Sequence, residues 1–168
     1  MKPPSTSTTD LFPDWREFLS LLISHRVKFV VVGGHAVAVH GTPRHTEDLD
    51  VFVEATPTNA RKILATLTDF GFGSASPTLA ALATPGKVFM LGILPYRIDV
   101  LTQISGVTFA QAWSTRVKVG SSAGRVPFIS RDMLIKNKRA SARPKDLSDL
   151  AMLGEAPKAK RATSAKRR

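Results

Sequence analysis

The chain of 168 residues contains no cysteine, which excludes disulfides, thiolate metal sites and a cysteine nucleophile. Long apolar runs are also missing. No stretch reaches the roughly 18 to 20 residues of a membrane span, and residues 1–20 lack the apolar core of a signal peptide. We therefore expect a soluble, cytoplasmic protein without a membrane partner.

Acidic residues are scarce. The chain has 13 Asp and Glu against 24 Lys and Arg, which gives a formal net charge of +11. Such a balance favours an anionic partner such as nucleic acid, a nucleotide or an acidic protein. Residues 154–168 are rich in Lys, Arg and Ala, which predicts a disordered basic tail. Residues 1–10, rich in Pro, Ser and Thr, predict a flexible arm. Residues 11–153 remain as a single domain, with enough apolar residues for a core.

Hydrophobic periodicity predicts a mixed α/β domain between the arm and the tail. Helices are expected over residues 15–23, 36–40, 57–70, 79–83, 109–113, 132–139 and 144–153. Strands are expected over residues 29–32, 48–54, 87–94, 96–102, 117–119 and 126–129. The last two strands are expected at an edge of the sheet.

Three aspartates stand out within these predicted strands. Asp48 and Asp50 alternate with apolar residues, so their side chains point the same way from Cα atoms about 6.5 to 7 Å apart. Asp99 lies in a second apolar strand, and pairing of the two strands would place all three carboxylates on one face. Like charges so placed repel unless a cation neutralises them. Oxygen ligands suit Mg²⁺ or Mn²⁺, and two such ions would serve phosphoryl or nucleotidyl transfer.

A glycine pair, Gly33 and Gly34, lies between a predicted strand and a predicted helix. Backbone amides at such a turn can bind the oxygens of a triphosphate. The spacing is not that of a dinucleotide-binding fingerprint. Arg44 and Thr46 follow, and they could contact phosphate or hold the loop that leads into Asp48.

Each of these residues also has a purely structural interpretation. The Asp pair could be a solvated strand face, and the glycines a simple turn. Asp99 could pair with Arg97, and Arg44 with Glu47 or Asp48. The histidines match no metal-binding spacing, so we expect structural roles for His35, His40 and His45.

Taken in order, the segments GGHAVAVHG, TEDLDVFV and YRIDVL resemble the signature of the polymerase-beta-type nucleotidyltransferase superfamily. The resemblance implies an α/β (α+β) nucleotidyltransferase fold, a mixed twisted sheet of about five strands with helices on one side and the metal cleft on the other. It implies that Asp48 and Asp50 bind magnesium and that Asp99 completes the site and helps to deprotonate the acceptor. It also implies that Gly33 and Gly34 hold the nucleotide phosphates.

The runs HGTPRHTEDLDV and MLIKNKRASARPKDLSDLAML are similar to runs in small prokaryotic nucleotidyltransferase-like proteins, some of them toxins of toxin–antitoxin systems. The likeness covers roughly residues 27–153. In those relatives the second run lies on helices that face the cleft. Candidate contacts are therefore Lys138, Arg143, Lys145 and Asp146. The alternative is a solvated helix face for Lys136, Lys138 and Arg139.

These observations predict a magnesium-dependent nucleotidyltransferase that uses an NTP, ATP among them, and an acceptor hydroxyl on RNA, such as transfer RNA, or on a protein. An antitoxin would then be a partner. No template-binding domain fits in the remaining length, which argues against a processive polymerase. Two alternatives stay open, a small-molecule enzyme of the antibiotic-modifying type and a non-catalytic relative that binds nucleotide or RNA. The expected nucleotide-binding residues are Gly33, Gly34, Arg44, Thr46, Lys138, Arg143 and Lys145.

Overall fold

A computed structural model of the chain describes residues 11–155. The expected arm, residues 1–10, and all but the first two residues of the expected tail lie outside the described residues.

Helices and strands occur along this part of the chain close to the ranges that the periodicity predicts. The helices are α1 (Pro13–Ser24), α2 (Gly33–His40), α3 (Pro57–Phe70), α4 (Leu79–Leu82), α5 (Phe109–Ser114), α6 (Arg131–Ser141) and α7 (Pro144–Met152). The strands are β1 (Phe29–Val32), β2 (Asp48–Val53), β3 (Val88–Leu91), β4 (Arg97–Leu101), β5 (Val117–Ser121) and β6 (Gly124–Phe128).

The strands form one mixed sheet in the order β3-β4-β2-β1-β6-β5. β2 pairs in parallel with β4 and antiparallel with β1, and β1 pairs in parallel with β6. The mixed α/β class is confirmed, with six strands among the described residues rather than about five. The expectation of two edge strands is right for β5 and wrong for β6, because β6 lies between β1 and β5.

Local signals set the bounds of α3. The Thr56 side chain accepts a hydrogen bond from the backbone amide of Asn59, and Pro57 occupies the first turn. The helix ends at Gly71, whose φ of +97° is the left-handed conformation that glycine adopts without strain. The predicted range 57–70 is therefore confirmed at both ends.

Both faces of the sheet are covered. On one face, Leu49 and Val51 of β2 are fully buried in the main core. On the other face, which carries the aspartates, Phe52 packs edge-to-face against Phe109 of α5, with ring centroids 5.2 Å apart. The expectation of helices only opposite the cleft is therefore wrong, because the apolar side chain of Phe52 shares the carboxylate face and needs a cover of its own.

Candidate metal centre and adjoining cavity

The three aspartates come together through the register of β2 and β4. Asp50 lies directly opposite Asp99, and Asp48 lies opposite Arg97. Because alternate residues of a strand share a face, all four side chains point from the same side of the sheet. One ligand oxygen from each of the three carboxylates lies within 4.8 Å of the others. The expected strand pairing is thus confirmed, and the three carboxylates, here called the triad, could hold a metal ion.

Arg97 is part of the same cluster. Its Nε and Nη2 atoms donate hydrogen bonds to the two oxygens of Asp99, at 2.8 and 3.1 Å, and Nη2 also lies 3.4 Å from Oδ2 of Asp48. The interpretation of Asp99 as a partner of Arg97 is therefore right as well. Sequence reasoning missed that Arg97 reaches two members of the triad, although its position two residues before Asp99 indicates the shared face.

The carboxylate of Asp50 has neither a hydrogen bond nor an ion pair with any residue of the range 11–155. Burial raises the pKa of Asp50 to about 7, and the negative charges of Asp48 and Asp99 add to the rise, against the opposing charges of Lys145 and Lys138. Two of the three carboxyl groups therefore share the guanidinium of Arg97, the third has no ion pair, and the cluster is short of positive charge. A donor set of carboxylate oxygens in a charge-deficient site fits a hard divalent cation such as Mg²⁺.

The glycine pair makes room for the triad. Gly33 has a φ of +67°, and a Cβ atom at this position would collide with the carboxylate of Asp50. A Cβ on Gly34 would lie 2.9 Å from Oγ1 of Thr46 and 3.0 Å from Nη2 of Arg44. The absence of both side chains lets the first turn of α2 approach β2 and the loop before it. The interpretation as a strand-to-helix turn is confirmed, and phosphate binding stays a prediction.

A cavity of about 770 Å³ opens over the triad, within the range of small-molecule sites. Eight of the eleven residues expected at the site line it, namely Gly33, Gly34, Asp48, Asp50, Asp99, Lys138, Arg143 and Lys145. The other three, Arg44, Thr46 and Asp146, do not line it. The site therefore combines carboxylates, a glycine turn and basic side chains around one space.

Arg44 and Thr46 are engaged in holding the loop before β2. Nε of Arg44 lies 3.0 Å from Oδ1 of Asp149, and Nη2 donates a hydrogen bond to Oδ2 at 3.3 Å. This partner is neither Glu47 nor Asp48, the two considered from the sequence. Thr46 donates a hydrogen bond of 3.0 Å to the backbone carbonyl of Asp48, which fixes the entry into β2.

Two buried carboxylates of α7, those of Asp146 and Asp149, form ion pairs with three of the basic candidate residues. Nζ of Lys138 lies 3.2 Å from Asp146 and 2.9 Å from Asp149, and all three side chains are at most 4% exposed. Arg143 pairs with Asp146, and Arg44 with Asp149. Burial by itself would raise the pKa of Asp146, but hydrogen bonds from Arg143 and the charge of Lys138 outweigh it and lower this pKa. We call these five residues the charge network.

The charge network changes the interpretation of the basic candidates. Lys138 is buried, so the expectation of a solvated helix face is wrong for it, because two carboxylates draw its ammonium group inward. Arg143 is likewise paired. Among the cavity-lining residues of the described chain, Lys145 and Lys87 are the lysines without an ion-pair partner. Lys145 is therefore the predicted nucleotide contact whose charge is free.

Two of the three histidines considered from the sequence, His35 and His40, have structural contacts. His35 packs edge-to-face on Trp15 with ring centroids 4.9 Å apart, and burial lowers its pKa to about 4, so the ring is neutral at pH 7. His40 donates a hydrogen bond of 2.7 Å from Nε2 to the carbonyl of Ile129. In the described range, no helix has the length and apolarity needed to cross a membrane.

Comparison with known proteins agrees with this geometry. The sequence profile of the family described as "Nucleotidyltransferase of unknown function (DUF6036)" matches residues 11–153. Among solved structures, an antigenic nucleotidyltransferase-like protein from Paracoccidioides brasiliensis is similar, with a TM-score of 0.51 and 14% identity over 83% of this chain and 73% of that chain. At this identity the likeness concerns the fold alone. No curated protein matches in sequence. The chain therefore belongs to this nucleotidyltransferase family, and its fold is nucleotidyltransferase-like.

Proposed function

We propose that the protein is a magnesium-dependent nucleotidyltransferase that moves a nucleoside monophosphate from a nucleoside triphosphate to an acceptor hydroxyl. The observation that carries the proposal is the convergence of Asp48, Asp50 and Asp99 within 4.8 Å at the wall of a cavity of nucleotide size. The family to which the chain belongs supports the same reaction class.

The residues of the triad would have two roles, metal binding and acceptance of a proton. Asp48, Asp50 and Asp99 would hold Mg²⁺, or Mn²⁺ in its place, and we expect two ions. The bound metal would polarise the phosphate oxygens and neutralise the departing charge. Asp99, oriented by two hydrogen bonds from Arg97, would accept the proton of the acceptor hydroxyl. The acceptor oxygen forms a bond to the α-phosphorus, the bond from that phosphorus to the bridging oxygen breaks, and pyrophosphate leaves.

The triphosphate would lie against the glycine turn and Lys145. Gly33 and Gly34 line the cavity beside Asp50, where the first amides of α2 are available to phosphate oxygens. Lys145, which also lines the cavity and has no ion-pair partner among the described residues, adds a positive charge. Arg44, which we predicted as a phosphate contact, would instead act indirectly by fixing the loop before β2.

RNA is the acceptor that the charge balance favours. A net charge of +11 attracts polyanions and weakens in salt. Cationic small molecules such as aminoglycoside-type drugs would instead need an acidic acceptor pocket. The roles of toxin and of antitoxin partner follow from the resemblance of the two sequence runs and belong to the same proposal.

Incubation with each α-labelled nucleoside triphosphate, Mg²⁺ and total cellular RNA and protein tests the function. We expect label on RNA, no label in the presence of a chelator, and a loss of at least about 100-fold in Asp48→Asn and Asp50→Asn. Asp132→Asn is the matched control, because Asp132 is exposed and lies outside the cavity. Absence of transfer by the wild type, or full transfer by Asp50→Asn, would contradict the proposal. Label on protein alone would refute the RNA acceptor.

A further inference from the structure

The two edges of the sheet, as the described residues form it, differ in chemistry. β5 lies at one edge and β3 at the other. An edge strand has unpaired backbone groups, which proteins commonly protect from other chains with lysine, proline or a bulge. β5 contains Lys118, whereas β3, with the sequence VFML, contains neither a charged residue nor a proline. β3 therefore lacks the residues that keep an edge strand from pairing with another chain.

The backbone of β3 has hydrogen-bonding groups that point away from the sheet. β3 pairs with β4 in antiparallel fashion, with Val88 opposite Leu101. The backbone carbonyl of Lys87 accepts a hydrogen bond of 3.0 Å from the amide of Thr102, just after β4. Residues of such a ladder alternate between bonding to the neighbouring strand and pointing away from it. Since Lys87 bonds towards β4, Val88 and Met90 direct their amides and carbonyls outward.

Large apolar side chains surround this open side of β3. Five of them are about half exposed or more, and Met90 reaches 63% and Ile93 82%. The five are Val88, Met90, Ile93, Leu94 and Tyr96. Residues 71–96 contain a single charged residue, Lys87. We call the five side chains and the outward backbone of β3 the β3 edge. A contiguous apolar surface of this kind marks an interaction site.

Charge favours a second copy of the chain as the occupant of the β3 edge. With a net charge of +11, two copies repel each other wherever basic surfaces meet, and the β3 edge lets them approach with few charges in contact. A partner attracted by charge would be acidic and would bind the basic surface instead. Residues 1–10 and 156–168 contain no large apolar residue besides Met1, so their sequences do not match an apolar surface.

A two-fold axis at Phe89 would satisfy the open backbone groups. Antiparallel pairing about this axis puts Val88 of each copy opposite Met90 of the other. The residues with outward amides and carbonyls then face each other, which allows four backbone hydrogen bonds. The two Lys87 residues are offset by four positions, or about 13 Å along the strands. This separation exceeds the Debye length of about 8 Å at physiological salt, so their repulsion is weak.

The same pairing would bring the second copy to the rim of the cavity. Residues that lie opposite each other in antiparallel strands point to the same face, so the carboxylate faces of both copies are on one side of the joined sheet. Met90 lies opposite Asp99 within its own sheet, and Val88 lines the cavity. Met90 of the second copy therefore lies beside Val88 at this rim.

We propose that the protein forms a two-fold dimer through antiparallel pairing of β3 with β3 of a second copy. The two sheets become one continuous sheet, and Met90 of each copy adds an apolar side chain to the cavity rim of the other. The dimer goes beyond the proposed function and does not depend on nucleotidyl transfer.

Sedimentation velocity of the full chain, treated with nuclease and measured in about 0.5 M salt, tests the dimer, because such salt removes association through bound polyanions. We expect a dimer at micromolar concentration. Met90→Lys should be monomeric, since it places a lysine on the open edge. Val117→Lys is the matched control and should stay dimeric, because it adds the same charge at an exposed apolar position of β5, on the other edge. Circular dichroism checks that both variants are folded.

A disulfide tests the position of the axis. The chain has no cysteine, so Phe89→Cys introduces a single thiol. Phe89 faces its own copy in a non-hydrogen-bonded pair, whose Cα atoms are about 4.5 Å apart, within the range of a disulfide. With an added oxidant, we expect a disulfide-linked dimer in Phe89→Cys and none in Val117→Cys.

Four results would overturn the inference. They are a monomeric wild type, a dimeric Met90→Lys, an equal loss of the dimer in Val117→Lys, and a dimeric Phe89→Cys that forms no disulfide. Capture of a different protein by a monomeric wild type would likewise count against the second copy as the occupant. If Met90→Lys failed to fold, the disulfide of Phe89→Cys would decide the question by itself.

Discussion

The triad lines the cavity together with two members of the charge network, Lys138 and Arg143, yet the charges of the two clusters are balanced in opposite ways. In the network, Asp146 and Asp149 have three cationic partners between them, Lys138, Arg143 and Arg44. In the triad, Asp48 and Asp99 share the single guanidinium of Arg97, and the carboxylate of Asp50 has no ion-pair partner in the described range. The network is electrically complete, and the triad is short of a cation. Charge balance, rather than the presence of aspartate, separates the structural cluster from the one that we propose as the metal centre.

The largest expected effect on stability comes from a substitution that disrupts the charge network. Lys138→Met leaves Asp146 and Asp149 buried with less compensation, and loss of one partner of a buried ion pair costs about 3 to 5 kcal/mol. Chemical denaturation should show this loss in the free energy of unfolding. Lys136→Met, at an exposed position of the same helix, is the control and should change stability by less than about 0.5 kcal/mol. An unfolding midpoint unchanged in Lys138→Met would contradict a structural role for the network.

A smaller effect is expected from two glycine substitutions. Their comparison distinguishes backbone strain from damage to the triad. Both Gly33→Ala and Gly71→Ala place a side chain at positive φ, which costs about 1 to 2 kcal/mol. A Cβ on Gly71 has no atom within 4 Å, whereas one on Gly33 meets the carboxylate of Asp50. Both variants should lose stability in denaturation, but only Gly33→Ala should also lose Mg²⁺ binding in calorimetry. Normal Mg²⁺ binding by Gly33→Ala would refute the close approach of α2 to the triad.

A substitution of Lys145 tests whether its ammonium group, which has no ion-pair partner among the described residues, contacts phosphate. Lys145→Gln should weaken the binding of inorganic triphosphate about tenfold, or about 1.4 kcal/mol, because no described carboxylate holds this ammonium group. Its exposed position predicts little change in the free energy of unfolding. Lys136→Gln serves as the charge-matched control. Equal affinity in Lys145→Gln and Lys136→Gln would show that Lys145 does not contact phosphate.

The smallest effect concerns Arg97, which is the cation nearest to the triad. Arg97→Gln removes a charge that competes with the metal for Asp48 and Asp99, so Mg²⁺ should bind severalfold more tightly. Arg97→Lys keeps the charge and should bind Mg²⁺ as the wild type does. Calorimetry with Mg²⁺ alone avoids any contribution of Arg97 to nucleotide binding. Weaker Mg²⁺ binding in Arg97→Gln would mean that Arg97 supports the site instead.

The sequence predicts the features that depend on near neighbours. Helix α3 begins and ends as expected because its cap, its proline and Gly71 are local signals, and Asp48 and Asp50 share a face by strand alternation. The partner of Arg44 was not predictable, since Asp149 lies 105 residues away and meets it only after α7 packs. The cover of Phe52 by Phe109 depends on tertiary packing in the same way. The position of Asp99 was predictable in part. Its place in the triad depends on the pairing of β4 with β2, which the order of the motifs suggested.

The account depends most directly on a cation at the triad. Titration of Mg²⁺, or Mn²⁺, into the metal-free protein by calorimetry measures it, with Asp50→Asn and Asp132→Asn as matched variants that each remove one carboxylate charge. We predict saturable binding by the wild type and by Asp132→Asn, and its loss in Asp50→Asn. Absence of binding in the wild type, or undiminished binding in Asp50→Asn, would contradict the assignment of the triad as a metal centre.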